Sequence, residues 1–348
     1  MNKGTNKIWL ILSILCLVAG LALMLVPGLR DSGERGSKPT MAPIVIGLGS
    51  DRVEETEHLI TEPFESLTVS DSSAVISINS SWDEQCRVYC SESERLHYDI
   101  SVRDGVLNVR REDGGNAQVA LFEDDLSLQI YLPAEHYRTL KVETSSGEIN
   151  SDGPDWDQMQ LKSSSGDIWL WDIVTGALEI ESSSGETYLS DVQADSLRIQ
   201  SVSGIVSVYG GSFGEIGVSS SSGDVSLSSL RAGKTQIRTV SGALWISFAE
   251  LEELQLESSS GDLGLTSTRC SGSLAANTVS GQISLTEMDA AGMELSSSSG
   301  DISGTVLGEW EFRVETSSGT VFTSESHRGA RLCHAVTVSG DVDLFAEE

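Results

Sequence analysis

Met159-Gln160-Leu161-Lys162-Ser163-Ser164-Ser165-Gly166-Asp167-Ile168-Trp169-Leu170 is the stretch whose reading decides the fold. Apolar and polar residues alternate into the serines and alternate again after the glycine, so two strands meet at a Ser-Gly corner. The Ser-Gly pair recurs at Gly147, Gly185, Gly204, Gly223, Gly242, Gly261, Gly281, Gly300, Gly319 and Gly340. With Gly166 included, successive spacings are 19, 19, 19, 19, 19, 19, 20, 19, 19 and 21 residues. Such a period marks a stacked repeat.

Seven before each glycine stand Leu140, Met159, Leu178 and Leu197, and five before stand Val142, Leu161, Ile180 and Ile199. A lone repeat cannot bury these faces. Stacking equivalent residues over one another makes a continuous core. The expected fold is therefore all-β, a parallel β-solenoid of about eleven coils of 19 residues. At about 4.8 Å per coil its length is on the order of 50 Å. The glycine corner calls for positive φ or a missing Cβ. The serines three and one before it share the inward parity, and their hydroxyls are expected to form ladders from coil to coil. The residue after the glycine is acidic in Glu186, Asp224, Asp262 and Asp301 and non-acidic in Ile205, Ala243 and Gln282. Skipping a coil relieves repulsion between stacked carboxylates.

The chain has 348 residues, with 22 Lys and Arg against 52 Asp and Glu and a formal charge of −30. That balance argues against nucleic acid, which requires a basic footprint. Residues 1–7 are a short tail, and 8–26 form an uncharged apolar run long enough to span a bilayer as one transmembrane helix. A cleaved signal peptide is the alternative, but no small-residue cleavage site follows the run. Lys3 and Lys7 before the run are nearly balanced by Arg30, Arg35 and Lys38 after it. The short N-terminal tail with a large acidic C-terminal domain is what points to a cell-membrane protein of single span with its C-terminal part extracytoplasmic. Residues 27–63 are a linker, 64–135 an N-terminal β region capping the solenoid, and 136–348 the repeats. In the capping region 67–69, 75–78 and 126–132 read as strands. Residues 100–109 read as a hairpin turning at Asp104-Gly105, and 112–117 as a loop. The C-terminal end is expected to rely on Asp341, Asp343, Glu347 and Glu348 against end-to-end stacking.

Ile130-Tyr131-Leu132-Pro133, followed by repeated Ser-Ser-Gly-acid, resembles the bacterial putative-adhesin, domain-of-unknown-function family of Ser-Gly-Asp β-strand-repeat proteins. The resemblance covers residues 64–345. It implies a β-repeat domain, often tethered by one helix and sometimes linked to envelope stress, and it brings no catalytic residues.

Gly210-Gly211-Ser212-Phe213-Gly214 fits G-x-S-x-G, but a nucleophile elbow needs a strand-to-helix turn and this stretch falls between two coils. His58, His97, His136, His327 and His334 lie in no metal-ligand spacing, so no metal and no cofactor is expected. Calcium on the acidic column is disfavoured, because the repeat lacks the Gly-Gly-x-Gly-x-Asp form. Cys86 and Cys90 are either free thiols or, with a turn between them, a small oxidised loop. Cys270 and Cys333 lie too many coils apart to pair.

Outward aromatics are the candidate partner or glycan face. Trp169 and Tyr188 sit three after their glycines, and Trp171 and Tyr209 five after theirs. Large aromatics stack on sugars or anchor a partner, unless the N-terminal region covers them. The function expected is a non-enzymatic, membrane-anchored β-repeat module for adhesion, scaffolding or envelope-associated regulation. The alternative is a polysaccharide-active lyase or hydrolase, which would need a groove with paired carboxylates.

Overall fold

The computed structural model describes residues 53–94, 96–113 and 126–347. Residues 8–26, expected to form the transmembrane helix, and most of the linker 27–63 lie outside the described residues, as does most of the loop 112–117. Every regular element among the described residues is a β-strand, and none is a helix long and apolar enough to cross a membrane.

Each repeat contributes one strand to each of two parallel sheets. Strands ahead of the glycine, such as Val174–Ser182, Gln193–Ser201 and Ser212–Ser220, stack into a broad sheet. Four-residue strands after it, such as Ile168–Trp171, Thr187–Ser190 and Val206–Tyr209, stack into a narrow one. The register is one period per coil: Leu178 pairs with Leu197 and Leu197 with Ile216, as the repeat requires. Inward columns of both sheets (Leu178, Ile180, Leu189 and their equivalents) are buried between them. This is the expected all-β parallel β-solenoid. Where the spacing lengthens to 20 residues, the pairing of Glu250–Glu257 with Arg269–Asn277 shifts register between Leu251 and Leu254, so the extra residue is taken up locally.

The glycine corner works by close approach. Of the repeat glycines only Gly185 has positive φ, at 118°. A Cβ on Gly166 would stand 1.8 Å from the carbonyl oxygen of Gly147, and one on Gly204 1.8 Å from that of Gly185. The hydroxyl three before the glycine turns to its own corner: Ser163 accepts from Gly166 N–H at 2.8 Å and Ser258 from Gly261 N–H at 2.8 Å. Thr278 and Ser297 also donate to the glycine carbonyl of the preceding coil at 3.2 Å, so the ladder runs hydroxyl to carbonyl. The serine just before the glycine corrects the inward expectation. Ser203 and Ser222 are exposed and Ser184 is half-buried, because the bend breaks the alternation, and all three donate to carbonyls one coil back at 3.2 Å. The acid after the glycine accepts the backbone N–H of the next coil: Asp167 from Glu186 at 2.6 Å, Asp224 from Ala243 at 2.8 Å and Asp262 from Gln282 at 2.9 Å.

In the seven consecutive coils of Gly166 to Gly281 a second corner falls six residues after the glycine. Asp172, Asp191, Ser229, Phe248, Ser267 and Glu287 hold φ between 45° and 58° there, with Gly210 at 67° in the same column. An aspartate tolerates the left-handed region, whereas a bulky aromatic is an outlier. Phe248 is 62 % exposed and packs little. Phe248→Gly is expected to stabilise the protein by about 0.5–1 kcal/mol, the relief of left-handed strain exceeding the added unfolded-chain entropy. A lower melting temperature for this variant would show that the corner is not strained.

Coils stack out of chain order at both ends. The turn Ser66–Ser70 with Val75–Ser80 lies between the turn of Val106–Asp113 with Ser127–Leu132 and the turn of Tyr137–Thr144 with Ile149–Asp152; Leu67 pairs with both Leu107 and Leu140. Val106–Asp113 is met antiparallel by Leu96–Arg103 through the expected hairpin, with Asp104 and Gly105 at φ 53° and 76°. Ser127–Leu132 is met by Cys86–Glu92, and that strand by Glu54–Ile60, both antiparallel. At the other end the last turn, Arg331–Thr337 with Val342–Glu347, inserts between its two predecessors. Cys333 pairs with Met293 on one side and Phe312 on the other. Asp341, Asp343 and Glu347, expected at the tip, therefore lie one turn inside it, and Asp301 and Asp341 become neighbours, with Asp341 N–H donating to Asp301 at 2.8 Å.

Cys86 and Cys90 share the extended strand Cys86–Glu92, which settles them as free thiols, and Cys270 and Cys333 are free as well. Burial pushes all four thiols up to about 12.

Candidate binding face

The narrow sheet has two outward columns because its strands are four residues long and alternate. One column runs Trp169, Tyr188, Ser207, Ser226, Trp245, Gly264. The other runs Trp171, Ser190, Tyr209, Ser228, Ser247, Thr266. With Ser284 and Thr286 of the next coil, seven strands present two outward residues each, and none of the fourteen is charged. The broad sheet is the opposite. On the same coils it shows Lys162, Glu179, Glu181, Arg198, Arg238 and Glu257, with ion pairs between coils at 2.9 Å for Lys162–Glu181 and 2.9 Å for Arg238–Glu257.

Three of the four expected aromatics come together. Trp169 stacks on Trp171 with ring centroids 6.1 Å apart, and meets Tyr188 at a 44° tilt with centroids 5.3 Å apart. Each is half-buried, covered in part by the others. Tyr209 stands apart, two coils along from Trp171 with Ser190 between, and is 50 % exposed. Trp245, also 50 % exposed, was not singled out from the sequence. It sits three after Gly242, the offset shared by Trp169 and Tyr188, so the signal was present. Its ring lies over Gly264, where an added Cβ would meet it at 2.1 Å. The missing side chain is what lets the indole lie flat.

Beside Tyr209 the edge of the face dips into a shallow groove of about 480 Å³, lined by Asp191, Gly210, Gly211, Ser229, Arg231 and Phe248. Arg231 Nε donates to Glu250 at 2.7 Å, and that bond holds the Glu250 carboxyl below its ordinary range. Ser212, of the G-x-S-x-G stretch, opens the strand Ser212–Ser220 rather than a helix, and no nucleophile elbow forms.

A family model described as Toastrack DUF4097 matches residues 64–268 and 212–345. The chain belongs to the Toastrack DUF4097 family. The resemblance read from Ile130-Tyr131-Leu132-Pro133 and the Ser-Gly repeats is borne out. No curated protein matches the chain. Among solved structures, a "putative adhesin" of Bacteroides fragilis is 11 % identical, covering 86 % of this chain and 98 % of its own, with a TM-score of 0.31. A "putative adhesin" of Parabacteroides distasonis is 12 % identical over 85 % and 98 %, at 0.34. A "putative lipid binding protein" of the same species is 12 % identical over 86 % and 98 %, at 0.39. None is similar enough in superposition to lend this chain its description.

Proposed function

We propose that this Toastrack DUF4097 protein is a non-catalytic envelope module that binds neutral glycan along the outward face of its narrow sheet, held at the membrane by the apolar segment 8–26. The observation that carries this reading is the separation of charge. In a chain of net charge −30, fourteen outward positions on seven consecutive coils are aromatic, hydroxyl-bearing or glycine. A solvated acidic surface has no need to clear one face of charge, whereas a neutral polyhydroxylated ligand does. Indole and phenol rings stack on the apolar faces of sugars, and the serine and threonine hydroxyls between them exchange hydrogen bonds with sugar hydroxyls. Trp169 and Trp245 are four coils apart, about 19 Å, so an extended oligosaccharide lying along the axis would meet both.

The test is affinity electrophoresis and calorimetry of the full chain in detergent against neutral and anionic soluble polysaccharides. Neutral polymers should bind, and Trp169→Ser with Tyr188→Ser should abolish that binding. Because the rings pack mainly on each other, the double change should cost no more than about 2 kcal/mol of stability. Binding that survives the double change would overturn the reading. So would release of new reducing ends, which would establish a polysaccharide-active enzyme instead.

A further inference from the structure

We propose that His58, Cys90 and Glu92 form a zinc-class metal site that fastens the entry strand Glu54–Ile60 to the N-terminal end of the solenoid. The entry strand pairs antiparallel with Cys86–Glu92, with Thr56 opposite Cys90 and His58 opposite Val88. In an antiparallel pair, opposed residues share a face, so His58 lies on the side of Cys90 and Glu92, which is also the side of the buried Cys86 and Val88. One donor atom from each of His58, Cys90 and Glu92 lies within 4.8 Å of the others.

Three details separate this cluster from a chance meeting of polar groups. His58 Nε2 is shielded from solvent and has no hydrogen-bond partner, and Glu92 Oε2, at 4.0 Å, is beyond hydrogen-bond reach. A buried polar atom without a partner is costly and uncommon. Glu92 is aimed: its Oε1 accepts the backbone N–H of Tyr98 at 2.9 Å, which turns Oε2 toward the imidazole. An outer hydrogen bond that orients a ligating carboxylate is usual at metal sites. Cys90 is fully buried, and its sulfur has only a long contact to the Thr56 carbonyl at 3.8 Å.

The donor set selects the ion. Thiolate, imidazole and carboxylate together suit Zn²⁺, while the hard ions Ca²⁺ and Mg²⁺ take oxygen donors. Donors bound tetrahedrally at about 2.0–2.3 Å lie about 3.3–3.8 Å from one another. With His58 and Glu92 4.0 Å apart and all three donors within 4.8 Å of one another, reaching that range asks for a small rotation of the His58 side chain, which is 35 % exposed, while Tyr98 N–H holds the Glu92 carboxylate. Three protein ligands leave the fourth position to water. Spacing rules miss the site because the histidine and the cysteine come from different strands, 32 residues apart in sequence. Among the described strands Glu54–Ile60 is the first, and it is paired on one side only. A metal bridge would tie this edge strand to its single neighbour.

The experiment loads the full chain with Zn²⁺ and separately with Co²⁺, removes free ion, and measures stoichiometry and absorption. One ion per chain is expected, with a thiolate-to-cobalt charge-transfer band and intense tetrahedral d–d bands. Cys90→Ser should remove the charge-transfer band, and His58→Ala and Glu92→Gln should each weaken zinc at least tenfold. Cys270→Ser and Cys333→Ser should change neither. Zinc should raise the melting temperature of the wild type but not of His58→Ala. His58 is half-buried, so that variant keeps the test open should Cys90→Ser fail to fold. No retained ion in the wild type, or retention unchanged in both His58→Ala and Cys90→Ser, would overturn the site.

Discussion

Gly223→Val is expected to lower stability by several kcal/mol and to melt on the order of 10 °C below the wild type, from backbone collision. A Cβ at this position would stand 1.7 Å from the Gly204 carbonyl oxygen and 2.7 Å from its carbon. Both atoms belong to the backbone of the adjacent coil and cannot rotate away. Relief would require opening the spacing between coils, which the ladders of both sheets oppose. The φ of Gly223 is not in the left-handed region, so conformational freedom is not the reason for glycine here. Gly223→Ala separates the two causes. If positive φ were the issue, alanine would cost about 1 kcal/mol; with a carbonyl in the way, it should cost nearly as much as valine. Gly217 supplies the control on the same coil. An added Cβ there meets nothing closer than 3.9 Å, so Gly217→Ala should be neutral or slightly stabilising. Stability in a stacked repeat is a sum of units and interfaces, so the loss should appear in hydrogen exchange as a break around residues 201–228. Equal melting temperatures for Gly223→Ala and Gly217→Ala would refute the close-approach account.

The 19-residue period carries the columns: which residues face inward, which glycine sits at the corner, and which aromatics share an outward face. Leu178, Leu197 and Ile216 stack as the period requires, and so do Trp169 and Tyr188. It does not carry the order in which coils stack. Phe312 and Val314 of Trp310–Thr316 and Cys333 and Ala335 of Arg331–Thr337 occupy equivalent inward positions, so the inward column alone lets either strand follow Met293 and Leu295. Only contacts far apart in sequence choose between them. The left-handed second corner was hidden for a related reason. Of the seven coils that have it, glycine marks it at Gly210 alone, and the other six hold the conformation with Asp, Ser, Phe or Glu because the two sheets dictate it. The juxtaposition of His58 with Cys90 and Glu92 depends on antiparallel pairing outside the repeat, where no period constrains the register.

Trp310→Ala is expected to cost about 3–5 kcal/mol and to loosen the C-terminal turns before the rest of the molecule melts. Trp310 is fully buried at the start of the outermost strand, and its Nε1 donates to the Leu307 carbonyl at 3.0 Å. The Arg331 guanidinium lies 4.4 Å above its ring. Arg331 opens the inserted last turn, and its fork reaches past the ring to three groups of preceding coils. Nη1 donates to Asp289 and, at 2.9 Å, to the Ala290 carbonyl, while Nη2 donates to the Leu307 carbonyl that Trp310 also uses. Asp289 is held from its other side by Arg269 at 3.0 Å. This cluster is the specific contact that seats Arg331–Thr337 between Met293 and Phe312, where the alternation alone is indifferent. Removing the indole leaves a cavity, takes away the cation–π contact, and frees the guanidinium to leave its carbonyls. Arg331→Lys should lose part of the same stability while keeping the charge, because an ammonium cannot bond the two carbonyls and the carboxylate in one plane. In both variants hydrogen exchange should accelerate first in 310–316 and 331–337, with residues 140–266 unchanged. A Trp310→Ala protein that melts with the wild type, or exchanges uniformly, would show that the order of the last coils is held by something other than this cluster.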